Sequence, residues 1–190
     1  MTENLSDSER TELLLRRPET LGTAPGSVII DPDALASTIE MIVYDRNRLS
    51  EHRCISVDDV RKHLDAEQVV WINVEGLGSE AIIRGLGEMF HLHPLALEDV
   101  VNVHQRPKVD RFGDNTFVTA RIPRTGSSCE TEQLGLFVGK NFVLTFLEDP
   151  GDCFGPVRMR LRQSDGLIRN RGADYLAYAL LDASVDAYFP

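Results

Sequence analysis

Between Lys108 and Leu147 the apolar pattern switches to a period of two, and this switch restricts the possible folds more than any other feature of the chain. The segments VDRF, TFVTARI, QLGLFVG and NFVLTFL alternate as strands do, with Gly139-Lys140-Asn141 as a tight hairpin connection between the last two. Pro107 stands just before the run, at a position where a strand start or a sheet edge tolerates a missing N–H. A meander of this kind has to be covered by the segments that precede and follow it.

Those segments carry helical periods. Ser56 can cap a helix whose apolar positions Val57, Val60 and Leu64 fall on one face, and Ser79 begins a second with Ile82, Ile83, Leu86, Met89 and Phe90 at helical spacing. Gly85 and Gly87 weaken that helix or let a neighbour approach closely. Pro94 marks the start of a third, shorter helix, because its fixed φ and missing N–H cost nothing at the first helical position. Phe154 to Leu161 and Ala173 to Phe189 return to helix after the meander. Earlier, Val28 to Ile30, Ile39 to Tyr44 and Val69 to Val74 read as strands, the last as a continuous apolar run typical of a buried one. This order predicts a mixed α/β (α+β) domain, with a largely antiparallel sheet and helices on both faces. Residues 1–26 are polar and end in GTAPGS, which predicts a mobile tail before an ordered domain over 27–190.

Charge and composition narrow the functions. A formal net charge of −10 disfavours nucleic-acid or anionic-lipid surfaces and favours cations as partners. A membrane-spanning helix needs about 20 apolar residues, and the best candidate, YLAYALLDASVDAYF, is interrupted by Asp182 and Asp186. Cys54, Cys129 and Cys153 are odd in number and form no CxxC pair, so neither a disulfide framework nor a zinc knuckle is indicated and a reducing cytoplasm fits. No G-x-S-x-G, H-E-x-x-H, P-loop or G-x-G-x-x-G pattern is present, and the chain is not expected to be an enzyme.

Carboxylates are the candidate binding groups. Glu98 and Asp99 are adjacent on the third helix and point roughly 100° apart, so one can face its own subunit and the other a neighbour. Asp182 and Asp186 lie at i and i+4 on the terminal apolar helix, with Asp174 a little farther round. Carboxylates on such a helix call for a partner, either an Arg or Lys from another helix or a hard divalent cation such as Mg²⁺. His91 and His93 form an H-x-H pair, but Pro94 makes His93 the residue preceding a helix and no third ligand lies near, which argues against zinc. His104, Arg106 and Lys108 form a small basic patch expected to pair with local acids such as Asp110.

The stretch His91–Phe112, HLHPLALEDVVNVHQRPKVDRF, resembles the signature of the CorA family of magnesium transporters. The resemblance extends from about Trp71 to Phe189 through FVGKNFVLTF, the helix around FGPVRMRLR and RGADYLAYALLDASVDAYF. His93, Pro94, Arg106, Pro107 and Lys108 fall in that motif as structural positions. The resemblance implies a three-layer α/β/α sandwich that serves as the cytoplasmic metal-sensing domain of a Mg²⁺ or Co²⁺ channel, ending before its stalk and pore. It also implies that the acid at Asp99 faces an Asp on the stalk of the adjacent subunit, and that residues matching Glu98 and Asp182 line a second regulatory site. Asp186 fits the acidic surface of the terminal helix. The implied ligand is Mg²⁺, with Co²⁺ or Ca²⁺ able to take the same sites, and no organic cofactor. Implied partners are copies of the chain itself, as a homopentamer at full length and in non-native self-association for this soluble stretch alone. Membrane contact is implied only through a C-terminal segment, at the cytoplasmic face of the cell membrane, and no nucleic acid is involved. Two further readings stay open: a zinc-transporting branch of the same superfamily, which tends to lack the Glu-Asp pair, and a soluble binding module that reuses the fold.

Overall fold

The computed structural model describes residues 24–54, 56–64, 68–124, 130–164 and 166–189. Most of the expected tail, residues 1–23, lies outside the described residues, as does Cys129. Along the chain run β1 (Thr38–Tyr44), β2 (Leu49–Cys54), α1 (Val57–His63), β3 (Val69–Glu75), α2 (Glu80–Met89) and α3 (Pro94–Val101). There follow β4 (Lys108–Phe112), β5 (Asn115–Pro123), β6 (Thr131–Val138), β7 (Phe142–Leu147), α4 (Gly155–Gln163), a 3₁₀ turn (Ile168–Asn170) and α5 (Ala173–Asp186).

The strands form one seven-stranded sheet in the order β2-β1-β3-β7-β6-β5-β4. Every neighbouring pair is antiparallel except β3 with β7, which run parallel in the centre. Alternation along each strand then feeds two cores. Ile39, Met41, Val43, Ile72, Leu144 and Phe146 face one side, where Val60 of α1, Ile83 and Leu86 of α2, and Ala96, Leu97 and Val100 of α3 close over them. Ile42, Tyr44, Trp71, Val143 and Leu147 face the other, under Val157 and Leu161 of α4 and Leu176 and Leu180 of α5. The predicted α/β/α sandwich and its mixed, largely antiparallel sheet are what the chain adopts.

Local signals explain the helix starts. The Ser56 and Ser79 hydroxyls accept the backbone N–H groups of Asp59 and Ile82, satisfying donors that a helix leaves open in its first turn. Gly85 and Gly87 serve close approach: a Cβ on Gly85 would come within 2.8 Å of the Val57 side chain, and one on Gly87 would strike Leu97. Both glycines let α1 and α3 press against α2.

Three expectations change, and one strand was not foreseen. Val28 to Ile30 forms no strand; Val28 is buried instead against the helical layer around Leu92 and Leu97, because β2 already occupies the edge beside β1. The polar β2 itself, LSEHRC, has no apolar alternation to reveal it and pairs with β1 through a turn in which the Asp45 carboxylate accepts the Asn47 and Arg48 N–H groups. Helix α5 ends at Asp186, three residues short of Phe189. Gly26, read as tail, is held by a hydrogen bond to Glu98.

The central parallel pair is tied together by polar groups as well. Asn73 and Thr145 are register partners on β3 and β7. The Trp71 indole N–H donates to Thr145 Oγ1 at 3.1 Å, and the Thr145 hydroxyl donates to Asn73 Oδ1 at 2.5 Å. Asn73 in turn donates to Asp152 at 2.9 Å, and both Asp152 oxygens receive the Arg158 guanidinium of α4 at 2.6 Å. Replacing Thr145 with Val keeps the volume but leaves buried polar groups of Trp71 and Asn73 without their partner, so urea unfolding of Thr145→Val should show a loss of about 2–3 kcal/mol. A loss below about 0.5 kcal/mol would show that this network does not hold the seam.

Candidate functional site

Helix α3 presents the acidic pair because both of its ends are fixed. The residue before it, His93, accepts the Leu95 N–H on Nδ1 at 3.2 Å, and Pro94 occupies the first turn. The His93 ring also stacks on Phe112 of β4, with centroids 4.3 Å apart. Two residues earlier His91 sits at φ 51°, reversing the chain after α2 while the Leu92 N–H returns to the Gly87 carbonyl at 2.8 Å. The H-x-H pair therefore serves two different turns, one ending a helix and one starting the next.

Burial of Ala96, Leu97 and Val100 against the sheet leaves Glu98 and Asp99 half-buried on the flanks of α3. Glu98 Oε2 accepts the Gly26 backbone N–H at 2.7 Å. Asp99 Oδ2 receives the Lys108 ammonium at 2.7 Å, and Lys108 also reaches Asp110 Oδ2 at 3.1 Å. Residues 108, 110 and 112 alternate onto the face of edge strand β4 that looks toward α3, which is why a lysine, an aspartate and a packed Phe112 all meet this helix. Burial disfavours the charge on Lys108, but the hydrogen bonds to Asp99 and Asp110 outweigh it and hold its pKa above the ordinary lysine value. Of the basic patch, Lys108 pairs with Asp110 as expected, with Asp99 as an additional partner. Arg106 and Pro107 are exposed in the approach to β4.

Gln133 was not singled out by sequence reasoning. It is buried on β6, donates to the Asp99 backbone carbonyl at 2.8 Å and accepts the Gln105 N–H at 3.1 Å, thereby fixing α3 and the loop after it to the sheet. An amide at the start of an otherwise apolar strand was the visible signal.

Asp182 and Asp186 lie elsewhere. Both are exposed on the outward side of α5, and no charged partner reaches them among the described residues. Because α3 and α5 cover opposite faces of the sheet, Glu98 and Asp182 of one chain stand in different layers. Among the described residues no three His, Cys, Asp or Glu side chains converge on a point where a metal ion could be held. The carboxylate donors suit a hard cation by type, and a single chain does not close a cage around one.

The most strongly perturbed carboxylate among the described residues lies outside this site. Glu132 of β6 is 1% exposed beneath α5 and accepts the Asp149 N–H at 3.0 Å. Burial, with the neighbouring Asp149 and Glu148 charges adding to it, pushes its pKa from an ordinary value of 4.5 up to about 7.

In layer order and sheet topology the molecule is an α/β/α domain of the kind found in the soluble parts of metal-ion transporters. It is similar in fold to the soluble domain of CorA from Methanocaldococcus jannaschii (TM-score 0.59, 17% identity, covering 81% of this chain and 59% of that one). It is similar likewise to the ZntB cytoplasmic domain from Vibrio parahaemolyticus (TM-score 0.60, 14% identity, 80% and 59%). Residues 66–190 match the family described as CorA-like Mg²⁺ transporter protein, and the chain belongs to that family. It is 41% identical over 154 residues to the cobalt/magnesium transport protein CorA of Thermotoga maritima, an alignment covering 80% of this chain and 44% of that protein. It is 31% identical over 112 residues to the magnesium transporter ALR2 of Saccharomyces cerevisiae, covering 57% and 13%. The chain therefore spans less than half the length of these two relatives, both of them transport proteins. No helix among the described residues is long and apolar enough to cross a membrane.

The displaced pKa of Glu132 makes a pH prediction. The unfolded chain gives up this proton near pH 4.5 and the folded chain keeps it to about pH 7, so stability falls as pH rises through that window. Glu132→Gln, which keeps an acceptor for the Asp149 N–H, should leave stability almost unchanged at pH 4 and raise it by roughly 2–3 kcal/mol at pH 8. Parallel denaturation curves at the two pH values test this, and equal shifts at both would contradict it.

Proposed function

We propose that this chain is the cytoplasmic cation-sensing domain of a CorA-like transporter of Mg²⁺ or Co²⁺, with Glu98 and Asp99 as its principal ligands and Asp182, with Asp186, as acidic surface on the opposite layer. The observation that carries the reading is the acidic pair itself: two adjacent carboxylates held half-buried by Gly26 and Lys108 on a helix whose ends are fixed, with no third ligand converging on them among the described residues. Mg²⁺ keeps most of its waters and takes one or two carboxylates, so ligands from two copies suffice to bridge them. A bridged arrangement is favoured when the cation is abundant and lost by charge repulsion when it falls, and the shift equals the cation's differential affinity for the two states. Copies of the chain are then partners of one another. Exposed Tyr178 and Val185 on α5, with Phe189 just beyond its end, supply apolar surface for association of this stretch alone.

Magnesium or cobalt is preferred to zinc because the Glu98-Asp99 pair is present and because the Thermotoga relative with 41% identity is a cobalt/magnesium transport protein. The likeness to the ZntB domain concerns fold alone.

The direct test uses the full-length protein. Asp99→Asn should raise the Mg²⁺ concentration that protects it from proteolysis by about tenfold, the effect of losing about 1.4 kcal/mol of ligand energy. Protection at an unchanged Mg²⁺ concentration would exclude Asp99 as a ligand.

A further inference from the structure

We propose that Lys108 is an internal cation that competes with the divalent metal for Asp99 and so sets the concentration at which the site responds; this rests on the reading of Asp99 as a cation ligand. The geometry is specific. The ammonium lies 2.7 Å from Asp99 Oδ2, within the space that the first coordination sphere of a metal on this carboxylate would occupy. The Asp99 side chain is only 18% exposed, so the charge beside it is incompletely screened by solvent. Lys108 does not depend on Asp99 alone: Asp110, two residues along the same strand face, already contacts it at 3.1 Å and is 39% exposed. A metal arriving at Asp99 therefore displaces the ammonium toward a carboxylate it already touches, without stranding a charge.

The sign of the effect separates competition from a structural role. If Lys108 merely fastened α3 to β4, removing it would loosen Asp99 and weaken cation binding. As a competitor, its removal strengthens binding, because a divalent ion no longer faces a single positive charge at about 4–5 Å, a repulsion worth on the order of tenfold in affinity under surface screening.

Mn²⁺ is the probe, titrated into the isotope-labelled 190-residue chain while amide line broadening along α3 is followed by NMR. Lys108→Met should bring half-broadening at about tenfold lower Mn²⁺, and Lys108→Gln should do the same, so that poor folding of one variant does not decide the result. Lys108→Arg, which keeps the charge, should titrate like the unaltered chain. Asp99→Asn should remove the broadening in both the unaltered and the Lys108→Met backgrounds. An unchanged or higher midpoint in the neutral variants, with broadening still dependent on Asp99, overturns the competition and leaves Asp99 as a ligand. Broadening indifferent to Asp99→Asn overturns the cation reading of Asp99 and the competition with it, and broadening absent from every variant overturns the competition within one chain.

Discussion

The parallel pairing of β3 with β7 is the contact on which the rest of the molecule depends. It joins two parts that are each locally antiparallel, β2-β1-β3 and the β4–β7 meander, across a long stretch of chain. Parallel neighbours need a crossover, and here the crossover contains α2, α3 and the whole route to the far sheet edge. Once β3 lies beside β7, the alternation of both strands has to match on both faces. Ile72 and Leu144 then point into one core, and Trp71 and Val143 into the other. The buried Asn73–Thr145 pair penalises a slipped register, since a shift of one residue would put these polar groups beneath the opposite helical layer.

What could be read from the chain was local. The meander, the capped starts at Ser56 and Ser79 and the helix opening at Pro94 depend on a few neighbouring residues and appear in the structure where the patterns placed them. Strand order depends on contacts far apart in sequence, and a polar edge strand such as β2 carries no periodicity of its own. The candidate site divides in the same way. Glu98 and Asp99 stood out as an adjacent pair, and the Lys108–Asp110 contact followed from a spacing of two. The Lys108–Asp99 contact needed the packing of α3 against the edge of the sheet, and the Gly26–Glu98 bond needed the path of the N-terminal segment. No local pattern reveals that Asp182 belongs to the other layer.

Ionic groups on the α4–α5 side of the sheet meet two different environments. Arg158 is bound by Asp152 and Glu40 and lies over the Trp71 ring at 4.9 Å, so the cation nearest the seam is satisfied on several sides. Glu132 is the opposite case, a carboxylate buried for its position under α5 and left to favour its neutral form. Its acceptance of the Asp149 N–H orients the turn after β7, from which the chain leaves the sheet toward α4.

The two outermost strands have a consequence for assembly. β4 carries Lys108, Asp110 and Arg111 around the exposed Val109, and β2 carries Glu51, His52 and Arg53. Strands edged with alternating charges make poor templates for a further strand, because an incoming backbone would bring its own side chains against fixed ions of either sign. Neither edge of the described sheet therefore invites a further strand, and the surfaces left open to a second molecule are the helical faces, where a contact can form and part without rebuilding a hydrogen-bonded ladder.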